Sequence, residues 1–499
     1  MPWSDRLSDA LILAAPVVIP LIAAAIAILL RHRPRLSEGF AIATITLVLA
    51  LSGMLLARAI DGGTLAITVF GGWPVGFGVS FAARMPGAML VVVTMVIALA
   101  VAIYGHASIG ARRRRAGHDA LMLAMIGAVN GAFLTGDLFN LYVWFELALL
   151  SALGLLMLDR RERQVGAGVR YAAFGIVGAT AILAGIGLFY GIAGTLDLGA
   201  LAARLAGSPP TVATAIAAAL FLGGFALKAG LFPLHLWLPA SYAPAPVSVA
   251  AIFAGLLTKM GFYALLALMA GIFAVASGGI GAAQLLPVLV MIAGATMLVC
   301  SLAALAQNDM RRLLAYHVVA QVGYMMAGLA TGTREGVEAA VFYMIHSMVV
   351  QTNLFLGAGA IHRATGSWDL SATGGMLRRN PIFCCLFAIP MLSLAGIPPF
   401  SGFWGKILVF REAIDTAHYL LLAAGVVAAL LTIFSVAIFW SAACWKELRG
   451  RTPRQLPLSM LLGMGVLSTA TMVIGLMPGW IDALAKLSAA ALARMGMFA

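Results

Sequence analysis

The chain has 499 residues, 63% of them hydrophobic and 10% charged, with a mean hydropathy of +1.03 and a formal net charge of +13. Soluble domains carry about 25% charged residues, so this composition excludes a water-soluble fold, and its unbroken apolar runs exclude a β-barrel, whose strands alternate. The basic residues lie in short clusters between the apolar runs, which marks membrane topology and argues against nucleic acid as a partner.

Crossing a bilayer takes about 20 apolar residues, and roughly fourteen spans are expected. They fall near 9–30, 38–60, 85–105, 118–135, 138–158, 168–192, 211–236, 246–272, 284–306, 311–331, 336–361, 381–415, 418–445 and 457–480. The opening MPWSDRLSDA has no basic n-region and no convincing cleavage site follows, so the first run reads as a retained helix. Two spans are expected to be broken. The seventh contains Pro233, and the twelfth, too long for one straight helix, contains GIPPFSGFWGK.

The basic clusters are Arg31, Arg33 and Arg35; Arg112 to Arg115; Arg160, Arg161 and Arg163; Arg311 and Arg312; Arg378 and Arg379; and Lys446, Arg449, Arg451 and Arg454. With the N-terminus outside, alternation puts all of them on the cytoplasmic side, where Lys and Arg concentrate. The loops at 61–84, 193–210, 273–283 and 332–335 then lie outside, and an even span count returns the C-terminus outside. The longest polar connections, 61–84, 193–210 and 362–380, offer no nucleotide site. The glycines of GAGVRYAAFG do not follow a strand, and those of GIVGATAILAGIGLFYG fit close helix packing. Cys300, Cys384, Cys385 and Cys444 show no CxxC or Cys/His pattern, so neither a metal nor a cofactor is expected.

A few ionisable groups remain at membrane depth: Glu146, Lys228, Lys259 and Lys406, with His235, His317 and His346. A charged side chain at a helix centre costs about 2.5–3.5 kcal/mol, so such groups face a bundle interior or water and pair with one another. Glu146, in NLYVWFELALL, reads either as a structural ion-pair partner or as a switchable one. Lys228, in FALKAGLFPLHLWLP, precedes Gly230 and Pro233, where the helix should lose backbone bonds and open a polar gap. An approaching carboxylate would load a proton there and a retreating one would release it; the alternative is a lysine snorkelling to the interface. Lys259 lies inside the eighth span, and Lys406 follows the double proline of the twelfth. Both breaks thus carry a lysine, as two related half-structures would, although no strong sequence repeat is visible. His317 and His346 read as proton bridges between Lys259 and Lys406, or as ordinary partners of a neighbouring backbone. His235 is near a helix end. Asp137, Asp309 and Asp369 sit at span boundaries and read as caps or loop anchors.

The motifs TGDLFNLYVWFEL, ALKAGLFPLHLWLPASYAPAP, GLLTKMGFYAL, RRLLAYHVVAQVGYM and GIPPFSGFWGKILVF resemble the antiporter-like subunits shared by respiratory complex I, membrane-bound hydrogenases and Mrp-type antiporters. The resemblance runs across nearly the whole chain. LPASYAPAP, FYGIAGTLDLGALA and QTNLFL look most like the D-type subunits of Mrp multisubunit Na+/H+ antiporters. It implies an all-α polytopic protein of fourteen helices in a bacterial inner membrane. Helices 1–3 would cover residues 1–117, two inverted five-helix repeats residues 118–272 and 273–456, and the last helix residues 457–499. It also implies a Glu146–Lys228 pair, a central Lys259, bridging His317 and His346, and a terminal Lys406. Two positions depart from the pattern. Gln351 stands where relatives usually have lysine before TNLFL, and Arg170, often lysine, cannot give up its proton.

A sodium site wants several oxygen ligands, which one lysine-paired carboxylate supplies poorly. The expectation is therefore a non-enzymatic subunit that carries protons, with sodium crossing elsewhere in the complex and other membrane subunits as partners. The same machinery in a redox complex is the alternative, and a structural scaffold is the alternative of another class.

Overall fold

The structure, a computed structural model, describes residues 3–62, 65–67, 78–205, 211–273, 282–448 and 452–494. It begins with α1 (Trp3–Leu30) and α2 (Pro34–Gly62), followed by two short antiparallel strands, β1 (Leu65–Ile67) and β2 (Phe81–Ala83). Next come α3 (Met85–Ser108), α4 (Ala111–Arg115), α5 (His118–Leu134), α6 (Leu138–Leu156), α7 (Glu162–Ala193) and α8 (Leu198–Leu205). The first break separates α9 (Val212–Ala229) from α10 (Trp237–Tyr242). A continuous helical rod over Val247–Ile272 contains α11 (Val247–Ile252), a π-turn (Phe253–Leu257), α12 (Thr258–Leu266) and a second π-turn (Ala267–Ile272). Then follow α13 (Ala282–Leu305), α14 (Met310–Ala330), α15 (Arg334–Thr365) and α16 (Met376–Arg379). The second break lies between α17 (Pro381–Ala395) and α18 (Ser401–Asp415), before α19 (Tyr419–Trp440), α20 (Leu458–Leu476) and α21 (Pro478–Ala493).

Twelve helices among the described residues are long and apolar enough to cross a membrane, and α5 and α17 are shorter apolar ones. Every expected span falls on such a helix or on a broken pair. The innermost rods are α15 and the rod at Val247–Ile272, whose most apolar windows are wholly buried, whereas α1, α2 and α19 leave most of theirs on the outside of the bundle.

The all-α fold class expected from the sequence holds, with the short β1–β2 pair giving backbone polar groups partners in the 61–84 connection. Two element boundaries need correction. The seventh element does not end at residue 236: the chain turns through Gly230–Leu236 and resumes as α10, where the Trp237 indole donates to Leu227 O at 3.0 Å. Where one last helix was expected over 457–499, the described residues hold two, α20 and α21. Pro478 occupies the first turn of α21, where proline is tolerated, and α21 packs on α3 and α15 with Asp482 and Lys486 on its polar face.

The arginine clusters within the described residues gather at one end of the bundle, while Arg449 and Arg451 lie outside the described residues. Arg113 bonds Asp159 at 2.8 and 2.6 Å, Arg114 reaches Glu38 at 2.7 Å, and Arg311 stacks 4.4 Å from the Trp368 ring. The loops of 61–84, 193–210 and 273–283 are only partly described; where seen, they belong to the other end, as where Gly136 N–H donates to Ser80 O.

One backbone device occurs twice. Asp137 caps α6 by accepting from Asn140 N–H at 2.7 Å and lies opposite Asp197, while Leu138 N–H donates to Leu196 O and Leu198 N–H to Gly136 O. Asp309 caps α14 and lies opposite Asp369, while Met310 N–H donates to Trp368 O and Leu370 N–H to Asn308 O. Partners are 60 residues apart in both. The first bridge sits at the end away from the arginines and the second among them. All three aspartates therefore act as the caps expected, Asp369 through Ser371 N–H.

Candidate functional site

Both breaks begin alike. Gly230 ends α9 at φ +76° and Gly396 ends α17 at φ +84°, a left-handed turn that glycine adopts without strain and that commonly stops a helix. They differ in who satisfies the exposed carbonyls. At the first, Leu227 O takes the Trp237 indole, so Lys228 is free to turn toward Glu146. At the second, Lys406 Nζ itself donates to Leu394 O at 3.0 Å and Ala395 O at 2.9 Å, a cation on the negative end of a half-helix.

Glu146 Oε1 and Lys228 Nζ are 3.5 Å apart, a loose ion pair. The Lys228 side chain is 10% exposed and that of Glu146 29%, so the carboxylate sits at the edge of the bundle rather than in its interior. A cavity of about 20 Å³ adjoins Lys228 between Phe145, Tyr171 and Trp237, enough for about one water molecule.

Gly261 lets α12 press onto the last turn of α9, because a Cβ there would fall 2.7 Å from Ala229 N. That contact brings the Lys259 segment against Lys228. Lys259 is fully buried and donates to Ala254 O at 2.7 Å, a carbonyl of the preceding π-turn. Such turns interrupt the regular ladder, often at functional sites.

His317 of α14 and His346 of α15 are also fully buried. His317 Nε2 shares a hydrogen bond with Ser435 Oγ at 2.9 Å, and its Nδ1 has no partner. His346 Nδ1 meets Ser401 Oγ at 2.8 Å, with Ser393 beside it, and its Nε2 has none. Tyr343 stacks on Tyr324 at 5.2 Å, donates to Gln321 at 2.5 Å and stands edge-on to His346 at 5.3 Å; the Lys406 amine lies 5.5 Å from the Tyr324 ring. A second cavity, of about 220 Å³, runs from Asn308 and Lys446 at the arginine-rich end to Ser435.

The auxiliary residues divide. Gln351 is fully buried on α15 with neither amide atom bonded. His235 is buried in the first break with Nδ1 unpartnered. Asp137 is a cap. Arg170 lies on the exposed side of α7, and no ion pair among the described residues ties it to the file.

Several participants escaped the sequence reading. Ser393, Ser401 and Ser435 hold the imidazoles, and Thr258, Gln321 and Ser347 add buried, unbonded polar atoms. Neutral hydroxyls and amides are common in membrane helices, so nothing in their type marks them. Glu338 and Glu412 are buried carboxylates near the end opposite the arginines, Glu338 3.8 Å from Lys486 and Glu412 bonded by Thr333 at 2.7 Å. Both stand close to an end of an expected span, which kept them off the list of groups at membrane depth.

Broken helices enclosing buried amines and imidazoles define a multi-pass membrane protein of the antiporter-like class. Residues 135–432 match the family described as NADH:quinone oxidoreductase/Mrp antiporter, TM, and the chain belongs to that family. It is 34% identical over 435 residues to the D-type subunit of the Na(+)/H(+) antiporter of Alkalihalophilus pseudofirmus, covering 87% of this chain and 86% of that one. It is 30% identical over 470 residues to the D-type subunit of the Bacillus subtilis Na(+)/H(+) antiporter, covering 94% of each. Its fold matches a chain in the Mrp complex of a Dietzia species with a TM-score of 0.89 and 30% identity, covering 98% of both. The resemblance to Mrp D-type subunits read from the motifs is thus shown.

Proposed function

We propose that this chain is the proton-carrying subunit of a multisubunit Na+/H+ antiporter, working with other membrane subunits and itself performing transport rather than catalysis. Protons pass along Glu146, Lys228, Lys259, His346 and Lys406, with His317 as a side connection. The arginine-rich end faces the cytoplasm and the termini lie outside. Residues 118–272 and 273–456 act as two inverted repeats, a reading supported by the matching aspartate bridges at opposite ends of the bundle. Sodium crosses elsewhere in the complex.

One observation carries the relay. His317 and His346 each bind a serine hydroxyl through one ring nitrogen and leave the other unpartnered among the described residues, the arrangement in which one nitrogen takes a proton as the other gives one up. Lys259 rests on a π-turn carbonyl and Lys406 on the last carbonyls of α17, and neither has an ion pair among the described residues. The 220 Å³ cavity ending at Ser435 supplies a route from the cytoplasm to His317.

The test is ion exchange by the whole complex in membrane vesicles, wild type against Lys259→Ala. A conduit keeps its subunits and stops exchanging. Loss of assembly would instead point to a scaffold, and undiminished exchange would end the relay.

A further inference from the structure

One polar hollow plays no part in that path. A cavity of about 490 Å³ lies at the arginine-rich end, walled by the end of α3, by α4, the α6–α7 link, the α10–α11 turn, the start of α14, the end of α15 and the segment before α20. Arg113, Arg161, Arg311, Arg363 and Arg454 converge on it. Asp159 is the one carboxylate of the described wall, and Arg113 occupies both its oxygens. Arg311 is tied to Asp309 and Arg363 to Ala107 O. The guanidinium groups of Arg161 and Arg454 have no hydrogen bond or ion pair among the described residues. Two buried atoms of the same wall able to donate to an anion, Ser108 Oγ and His362 Nδ1, also lack a hydrogen bond among the described residues.

Positive-inside topology accounts for arginines in these loops. It does not account for five of them, from distant parts of the chain, aimed into one concave space with unsatisfied polar atoms in its wall. Guanidinium is the group that matches a phosphate with paired hydrogen bonds, and basic pockets between membrane helices hold lipid head groups. The space exceeds by far the ~30 Å³ share of a single water, and its enclosure by separate segments suits a compact anion better than a protein chain. We infer that this cavity is a binding site for a phosphate-bearing anion, either a soluble phosphate or the head group of an anionic lipid, held mainly by Arg161 and Arg454.

The whole complex is purified as wild type and as the Arg161→Ala/Arg454→Ala double variant, neither residue belonging to the proton file. One arm measures radiolabelled inorganic phosphate binding in nanodiscs of phosphatidylcholine. The other uses native mass spectrometry to count phosphatidylglycerol retained from mixed nanodiscs. A soluble ligand gives saturable phosphate binding weakened about tenfold or more in the variant, each lost charged hydrogen bond counting for about that much. A lipid gives one fewer phosphatidylglycerol on the variant and no difference in phosphate binding. An Arg161→Lys/Arg454→Lys variant, which keeps the charge, should recover part of the binding, and the variants should retain the wild-type set of subunits. No difference between wild type and the alanine variant in either arm overturns the site and leaves the arginines to topology or to a protein partner. Neither arm reads proton transport, so the relay can fail while this site stands.

Discussion

Lys228 Nζ stands 3.5 Å from Glu146 Oε1, with the carboxylate nearly three times as exposed as the amine. The acid can therefore move more readily than the base, which is held in the last turn of α9 beneath Phe145 and Trp237. Replacing Glu146 by Gln keeps the shape and removes the negative half of the ion pair. Exchange by the assembled complex should fall about tenfold or more, the loss that ~1.4 kcal/mol on a limiting transfer produces. Vesicle assays driven by a proton gradient read this, and unchanged exchange would mean the pair serves only to join α6 to α9.

Ser435 gives a sharper test, because it touches both His317 and the 220 Å³ cavity. Ser435→Ala should slow exchange while Ser435→Thr, which keeps the hydroxyl, restores most of it. Equal loss in both variants would trace the effect to packing of α14 on α19.

Gln351 has two buried, unbonded amide atoms, and each unsatisfied group costs about 1–3 kcal/mol. If it were only structural, Gln351→Leu would leave exchange intact and raise or preserve thermal stability. As part of the polar file, it should preserve stability and lower exchange; the two are separated by measuring the melting temperature and the exchange rate on one preparation.

Asp137 lies outside the spans. Burial, reinforced by the nearby Asp197 carboxylate, raises its carboxyl from the ordinary 3.8 to about 6. The folded protein thus holds this proton after the unfolded chain has released it. The resulting stability is fully present below about pH 3.8 and is lost as the pH rises through about 6. Asp137→Asn retains an oxygen for the Asn140 N–H cap and removes the titration. Its thermal stability should vary less between about pH 4 and 6 and exceed wild type above that window. A melting profile as steep as wild type would exclude Asp137 as the group responsible.

Much was legible in the sequence because a bilayer is an unforgiving solvent. Apolar run lengths located the spans, arginine clusters identified the loops of one end, and the cost of buried charge singled out Glu146, Lys228, Lys259 and Lys406. Proline and glycine announced both breaks. These signals are local, each readable from a few neighbouring residues. What remained hidden depends on which helices meet: Ser435 reaching His317 across 118 residues, Ser401 reaching His346 across 55, the π-turn carbonyl that receives Lys259, and α21, whose polar face disguised it. The convergence of Arg161 and Arg454 on one cavity is of the same kind. Hydrophobicity along the chain marks where it can cross the membrane; only packing among the crossings decides which buried polar atoms find partners and which, like His317 Nδ1 and the Gln351 amide, are left without one among the described residues.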